Sequence, residues 1–505
     1  MSNLVKMKKF LFNSWLLVII VFVVFVNACN NEKKPNLVYV FADQLRYDVF
    51  GFEGDEKAIT PNIDKLAAEG VCFTNSVSVS PVCAPHRASL FTGKYTSSTG
   101  MVVNEIRMNP NHRTIAHVLN EGGYETGYIG KWHLWAAEAG GHNKVKNSYI
   151  PPGPYRLGFN GLWKSYNFHH NNFNSYYYED EPEKIYYGEG VFEPEAQFDM
   201  AINFLKEHAG REKPFALFLS IGIPHDPWNK ENVPEKYYNM FSDVEFPLPE
   251  TMSDYPDQYM DRNTDPAKWL NYWKPNIPEF KRVYYAMNTA LDTYMGRLTK
   301  ALEDIDLTDN TILVFSSDHG EMFGENSRIY KMTFYDKAAR IPFIIRWPDK
   351  IKKGRKEDAC LNTPDIMPTL LGMMGFPVTG EVEGIDMSEL VLTGKGEEPE
   401  FAFMQGMGHT YLWLDGFEWR AVRDKRYTYA RYLRDGKELL FDNINDPLQK
   451  TNLVSNPDYA DKLNEMRSKM ASRMEELNDE FKQCTWYRDH WTENRVIKAS
   501  ARGRF

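Results

Sequence analysis

Residues 81–95, PVCAPHRASLFTGKY, put a cysteine, a proline and an arginine at what reads as the start of a helix. Pro85 has no N–H to lose there, and its φ suits a helix start. HRASLFTG then reads as the first turns, ending near Gly93. A helix N-terminus presents free N–H donors and the positive end of a dipole, so it favours anions. Arg87, one turn on, can aim its guanidinium back at position 83. Two readings stand together: a reactive thiol beside an anion site, or a small buried side chain in a well-capped turn. Four further stretches carry ligating or titrating groups. They are Asp43-Gln44, Lys131-Trp132-His133, His225 in PHDPW, and Asp318-His319 in DHGE.

Each of those four stretches follows a short apolar run: NLVYVFA (36–42), YETGYIG (124–130), PFALFLSIGI (214–223) and TILVFSS (311–317). Continuous hydrophobicity over such lengths fits strands covered on both faces. Helical patterns fall between them. TPNIDKLAAEG (60–70) offers Thr60 as N-cap, Pro61 at the first position and Gly70 as stop. FDMAINFLKEHA (198–209) and residues 280–304 repeat apolar positions at the helix period. The pattern is α/β, and open α/β sheets bind ligands beyond the carboxyl ends of their strands. Four strands delivering carboxylates, histidines and a lysine to one edge predict a single polar, cation-rich site.

The chain has 505 residues, 43% of them hydrophobic, which suffices for a large domain and a smaller one. A net charge of −10 without a basic arm or stripe argues against a nucleic-acid partner. The N-terminus combines lysines in MSNLVKMKKF with the apolar run LLVIIVFVVFV (16–26), then VNAC ending at Cys29. That order resembles a bacterial lipoprotein signal over 1–28, with Cys29 lipidated and 29–35 as a tether; an uncleaved anchor helix or a plain secretory signal are the other readings. The expected location is the periplasm or cell surface of a Gram-negative-type bacterium, with membrane attachment through the lipid. Without Cys29, Cys72, Cys83, Cys360 and Cys484 show no paired spacing, which argues against a disulfide framework or zinc site.

C-x-P-x-R followed by ASLFTG resembles the signature of the type I sulfatases. PNLVYVFAD, TPNIDKLAAEGVCFTN, GYETGYIGKWHL, SSDHGE, KMTFYDKAARIPFIIRWP (331–348), AVRDKRYTYARYL and ELLFDNINDPLQKTNL resemble further family segments in the family's order. The resemblance implies an alkaline-phosphatase-like α/β sandwich: a mixed, largely parallel sheet flanked by helices (36–395), then a small C-terminal α+β subdomain with an antiparallel sheet (396–505). The Gly-, Pro- and charge-rich TGKGEEPE (393–400) suits that boundary.

By the same resemblance, a maturation enzyme converts Cys83 to formylglycine, whose hydrate is the nucleophile. Arg87 supports the hydrate, and Lys131 and Lys331 hold sulfate oxygens. His133 is the base, and His225 serves the leaving oxygen. Asp43, Gln44, Asp318, His319 and position 83 hold one divalent ion. Two departures bear on the ion: many relatives carry Asp-Asp where this chain has Asp43-Gln44, and Asn where it has His319. Calcium is favoured, and the imidazole keeps manganese open. The same site features suit a phosphonate or phosphate monoester hydrolase on this fold; an unmatured glycan-binding lipoprotein is a further alternative, but a binding module has no need for the complete set Cys83, Arg87, Lys131, His133, His225 and Lys331. The Tyr-, Asn- and His-rich stretch 142–190 is expected to shape a sugar pocket. Arg107, His169, His170, Trp228, His409 and Trp413 are candidate sugar contacts. The expected substrate is O-sulfated carbohydrate, of glycosaminoglycan or mucin type first (N-acetylglucosamine 6-sulfate included) and marine polysaccharide second.

Overall fold

The computed structural model describes residues 33–260, 264–378 and 380–505; the expected signal segment 1–28 and Cys29 lie outside them. The central sheet contains β1 (Asn36–Ala42), β2 (Val71–Phe73), β3 (Glu125–Lys131), β4 (Trp163–Tyr166), β5 (Phe215–Ile221), β6 (Thr311–Ser317), β7 (Phe343–Arg346) and β8 (Arg355–Glu357). Their spatial order is β8-β2-β7-β6-β1-β5-β3-β4. β7 runs antiparallel to β6 and β2, and the other pairings are parallel.

The continuous apolar runs have a simple cause. On β1, Leu37, Tyr39 and Phe41 enter the core on one face, while Val38, Val40 and Ala42 enter the core on the other. β5 and β6 divide in the same way. A strand that buries both faces cannot alternate apolar with polar. The helices that cover the sheet are α1 (Pro61–Glu69), α2 (Cys83–Thr92), α3 (Glu193–His208), α4 (Lys274–Asp304) and α5 (Thr363–Met373). α2 and α5 supply Ala88, Phe91, Ile366 and Leu370 to the first core. α1, α3 and α4 supply Ile63, Phe198, Leu205, Met287, Leu291 and Leu298 to the second.

Three helix starts differ from the sequence expectation. α2 begins at Cys83 itself, so Pro85 sits inside the first turn, where its missing N–H has no helical partner to lose. α4 begins at Lys274, ahead of Pro278, and α3 begins at Glu193. The N-terminus of α1 is not capped by Thr60, whose hydroxyl bonds Asp64 and the amide of Gly51. Asp292 of α4 takes that place, accepting from the amides of Asn62 and Ile63 at 2.9 and 2.7 Å. Because the carboxylate is anchored in another helix, the same bonds also tie α1 to α4.

β9 (Ala402–Gly406), β10 (Trp419–Arg423), β11 (Tyr427–Tyr432) and β12 (Glu438–Asp442) form an antiparallel meander. One face packs on Phe334, Tyr335 and Ala338; the other meets Leu463, Met466 and Met470 of α6 (Ala460–Glu476). α7 (Cys484–Trp491) and two short hairpins end the chain. Residues Asn36–Phe505 make one compact unit. Cys72, Cys83, Cys360 and Cys484 are buried free thiols. No helix among the described residues is long and apolar enough to cross a membrane.

Arg420 of β10 and Asp479 form a fully buried pair, Nη2 to Oδ1 at 2.7 Å, with Tyr487 Oη and the Gly406 carbonyl completing the guanidinium shell. Burial opposes charge on Asp479, but Arg420 and Gln405 hold its carboxyl below the usual range. Such stability is present above the unfolded carboxylate value, about 4, and is lost as pH falls through the folded one. Arg420→Ala strands the carboxylate and is expected to cost about 3–5 kcal/mol in denaturant unfolding at pH 7. The gap to wild type should narrow as pH falls through the lowered folded value of Asp479, below which the carboxyl is neutral in both.

Candidate active site

β6, β1, β5 and β3 are adjacent and parallel, so their carboxyl ends share one edge. Ala42 pairs with Ser317 on one side and Ile221 on the other, which sets Asp43 beside Asp318. Lys131 closes β3. Gly130 before it has φ +100°, and a Cβ there would lie 2.0 Å from the Ser220 carbonyl oxygen. Only glycine permits that approach. Gln44 and His133 adopt left-handed φ of 64° and 59°, conformations that cost roughly 1 kcal/mol or more each and persist only where the surroundings impose them.

Arg87 is buried beneath this edge. Its Nη2 donates to Asp43 Oδ2 at 3.1 Å and Asp318 Oδ2 at 3.2 Å; its Nη1 donates to the Lys131 carbonyl at 2.7 Å and Ser220 Oγ at 2.6 Å. Asp43 Oδ1 is thereby left facing Cys83. Cys83 Sγ lies 3.6 Å from that oxygen, 3.3 Å from His319 Nε2, 3.2 Å from Lys331 Nζ and 3.8 Å from Lys131 Nζ. Burial opposes charge on Asp43, yet Lys131, His225, Arg87 and Lys331 outweigh it and hold the carboxyl well below its ordinary range. Burial and then Asp43 push the Cys83 thiol up.

Lys331 sits between two left-handed residues, Tyr330 and Met332, with φ of 66° and 69°. The loop is pinned at three points: Tyr330 N donates to Glu321 Oε1, Met332 N to the Pro81 carbonyl, and Trp419 Nε1 to the Met332 carbonyl. Its ammonium meets Gln44 Oε1 at 3.1 Å and His225 Nε2 at 2.9 Å. His225 Nδ1 bonds the Asp226 carbonyl at 2.9 Å, so Nε2 is the nitrogen turned to the site. Neither ring nitrogen of His133 has a hydrogen-bond partner. Burial, then Lys131 and Arg87, hold His133 well below the ordinary imidazole value, so it is neutral.

Asp43, Cys83, Asp318 and His319 offer ligand atoms that all lie within 4.8 Å of one another. Gln44 is held beside them by Glu321, a buried carboxylate absent from the sequence expectation. Glu321 Oε2 accepts from Gln44 Nε2 at 2.5 Å, which leaves the Gln44 Oε1 to accept from Lys331 Nζ. Two carboxylates, an amide oxygen and an imidazole fit a divalent cation.

The cleft above Cys83 measures about 350 Å³. His133, His170, His225 and Lys331 line its floor, and His170 stacks on His225 at 4.2 Å between ring centroids. Asn104, Glu105, Gly140, His142, Phe168 and Tyr411 line its walls. The other candidate sugar contacts lie elsewhere. His169 stacks on Tyr166 and turns toward the Tyr176 carbonyl. Trp228 packs on Phe323 and donates to the Pro224 carbonyl. Arg107 lies flat on Trp135, and Trp413 packs against the first core. His409 stands behind the wall, where Nδ1 accepts from the amides of Tyr411 and Leu412. A larger groove of about 690 Å³ between α3 and α4 holds none of these groups.

Residues 35–376 match the Sulfatase family model. The chain belongs to the type I sulfatases, within the alkaline-phosphatase-like superfamily. Residues 324–478 of this sulfatase also match the model described as N-sulphoglucosamine sulphohydrolase, C-terminal. It is 38% identical to an ulvan-active sulfatase of Formosa agariphila, over 92% of this chain and 85% of that protein. It is 29% identical to an endo-4-O-sulfatase of Bacteroides thetaiotaomicron, over 93% and 96%. The solved structure of the sulfatase YidJ from Bacteroides fragilis superposes with a TM-score of 0.76 at 32% identity, covering 91% of this chain and 98% of that one.

Glu321 is expected to orient the Gln44 amide for the ion. Glu321→Ala should weaken divalent-ion affinity about 10–100-fold in a calcium titration of the folded protein; unchanged affinity would show that Gln44 needs no such partner.

Proposed function

We propose that this sulfatase hydrolyses an O-sulfate ester of a carbohydrate, with residue 83 as the nucleophile after conversion to formylglycine. The placement of Cys83 carries the reading: it opens a helix and is ringed by Lys331, His319, Asp43 and Lys131 within 3.8 Å. A structural cysteine needs no such ring. Two carboxylates, Asp43 and Asp318, face three cations, Arg87, Lys131 and Lys331. That balance suits a sulfate ester, an anion that must be held and then broken.

Residue 83 as a hydrated aldehyde would supply one hydroxyl to attack sulfur and a second through which sulfate is later expelled. Asp43, Gln44, Asp318 and His319 would hold a divalent ion, which would supply Lewis acidity toward the sulfate and the nucleophile. Calcium is the ion proposed, since three of these four ligands offer oxygen. Arg87 keeps the two carboxylates together and fixes the first turns of α2. Lys131 and Lys331 bracket position 83 and neutralise sulfate oxygens. His133, neutral and without a hydrogen-bond partner, takes the proton of the second hydroxyl. His225 and Lys331 present a joined imidazole and ammonium to the departing oxygen. The ulvan-active and endo-4-O relatives support a glycan O-sulfate as substrate. The lipoprotein reading of VNAC places the enzyme outside the cytoplasm, where such glycans are met.

Protein produced with a maturation system should show formylglycine at position 83 in a peptide mass spectrum. Cys83→Ala should lose turnover of sulfated glycans by at least about 1,000-fold while keeping the wild-type melting temperature. Retention of most of the rate would end the formylglycine mechanism for this protein. His225→Ala is expected to slow sugar sulfates about 10–100-fold more than aryl sulfates, whose leaving groups need less protonation. An equal loss on both classes would remove His225 from that role.

A further inference from the structure

Two histidines from different loops lie face to face in the cleft. The rings of His170 and His225 are 3° from parallel, with centroids 4.2 Å apart. His225 follows β5 and His170 follows β4, strands that lie on opposite sides of β3 in the sheet. Strand pairing therefore does not bring the rings together; the loops do, and one side chain ties those loops. Asn232 Nδ2 donates to the His170 carbonyl at 3.2 Å and to the Pro227 carbonyl, two residues after His225, at 3.1 Å. Asn172 completes the clasp: its amide donates to Asn232 Oδ1 at 2.9 Å, and its Nδ2 donates to the Asn232 carbonyl at 3.0 Å. The Asn172 carbonyl accepts from the amide of Glu193, the first residue of α3, at 2.7 Å. Both asparagines are buried, so a broken bond in this frame leaves a polar group without water to replace its partner.

The hydrogen bonds of His225 are made at its ring nitrogens, Nδ1 to the Asp226 carbonyl and Nε2 to Lys331 Nζ. Such bonds run in the plane of the ring, and tilting out of that plane is resisted by what covers the ring's faces. His170 covers one face in a parallel stack. Burial, then Lys131, hold His170 well below the ordinary imidazole value, so it brings no charge of its own to the stack. We propose that His170 is a positioning residue for the leaving-group end of the site: by stacking on His225 it holds that ring in the plane from which Nε2 and the Lys331 ammonium face the departing oxygen. The inference rests on the leaving-group role proposed for His225 above. A tilted ring misaligns the hydrogen bond along which a leaving oxygen is served, and such misalignment slows the step without unfolding the protein. This role uses the face of the His170 ring, whereas a sugar contact would use its nitrogens.

The test measures kcat/KM on a panel of O-sulfated mono- and disaccharides, N-acetylglucosamine 6-sulfate among them. Matured wild type is compared with His170→Ala, His170→Leu, His170→Phe and His225→Ala, and with each of the Ala and Leu changes combined with His225→Ala. On the member that wild type cleaves best, His170→Ala and His170→Leu, which lack a flat aromatic face, should each lose about 5–10-fold. His170→Phe, which keeps the face and has no ring nitrogen, should recover most of that loss. Once His225 is alanine, changing His170 to Ala or Leu should cost less than about twofold more, because the ring it positions is gone. Melting temperatures identify the folded variants, and the Leu change carries the comparison if the Ala change unfolds the protein. A Phe variant no better than the Ala or Leu variant, or a loss at His170 repeated in full on top of His225→Ala, makes His170 a sugar contact and overturns the inference. Ala and Leu variants at the wild-type rate overturn it too, and both results leave the role of His225 standing. A His225→Ala variant at the wild-type rate overturns the leaving-group reading of His225, and this inference with it. A wild type that cleaves no member of the panel overturns the sulfated-carbohydrate reading and both of these.

Discussion

The structure depends on one buried guanidinium. Arg87 bonds Asp43 beyond β1, Asp318 beyond β6, the carbonyl of Lys131 at the end of β3 and the hydroxyl of Ser220 in β5. It therefore touches four adjacent strands at the edge where the site assembles. Two carboxylates brought side by side in a dry interior repel each other and lose their hydration, a cost that only close, well-aligned cations can offset. Arg87 below and Lys131 above Asp43 do this. Because Arg87 lies one turn after Cys83 on α2, the contact that stabilises the carboxylates also fixes the helix start on which Cys83 stands. Position 83, the acidic ligands and the strand ends are held by the same side chain.

A second wall is built from the far end of the chain. Trp419 of β10 holds the loop of Lys331, and Arg495 holds the loop of Glu105. Asp479, paired with Arg420 in the interior, ties the meander to the segment that leads into α7. The sheet edge supplies the floor of the cleft, and loops braced by the C-terminal region supply part of its rim. Loops carried by a rigid frame can vary in sequence without disturbing the chemistry beneath them.

Much of the floor was legible in the sequence because the sheet imposes it. A parallel strand ends at one edge, so a polar residue just after an apolar run has its location determined by the run itself. Asp43, Gln44, Lys131, His133, Asp318 and His319 could be placed this way, and Cys83 and Arg87 share one helical turn. Lys331 was less legible: it follows no strand, only its likeness to a family segment marked it, and its position rests on Glu321, Pro81 and Trp419. Glu321 itself was visible only as the last letter of DHGE, since nothing local shows that it turns the Gln44 amide.

The candidate sugar contacts show where local reading stops. His169 and His170 are neighbours in sequence, yet one stacks on Tyr166 away from the cleft and the other stacks on His225 within it. Composition could mark the stretch as aromatic and polar, but not which ring faces the cleft. Glu105 was not marked at all, because its place depends on Arg495, which lies 390 residues away along the chain. The sequence by itself determined the strands and the edge at which their polar residues gather, because hydrophobic period and strand direction are local properties. The tertiary structure alone decided the rim and the orientation of Gln44, because these arise from contacts between segments that no local pattern relates.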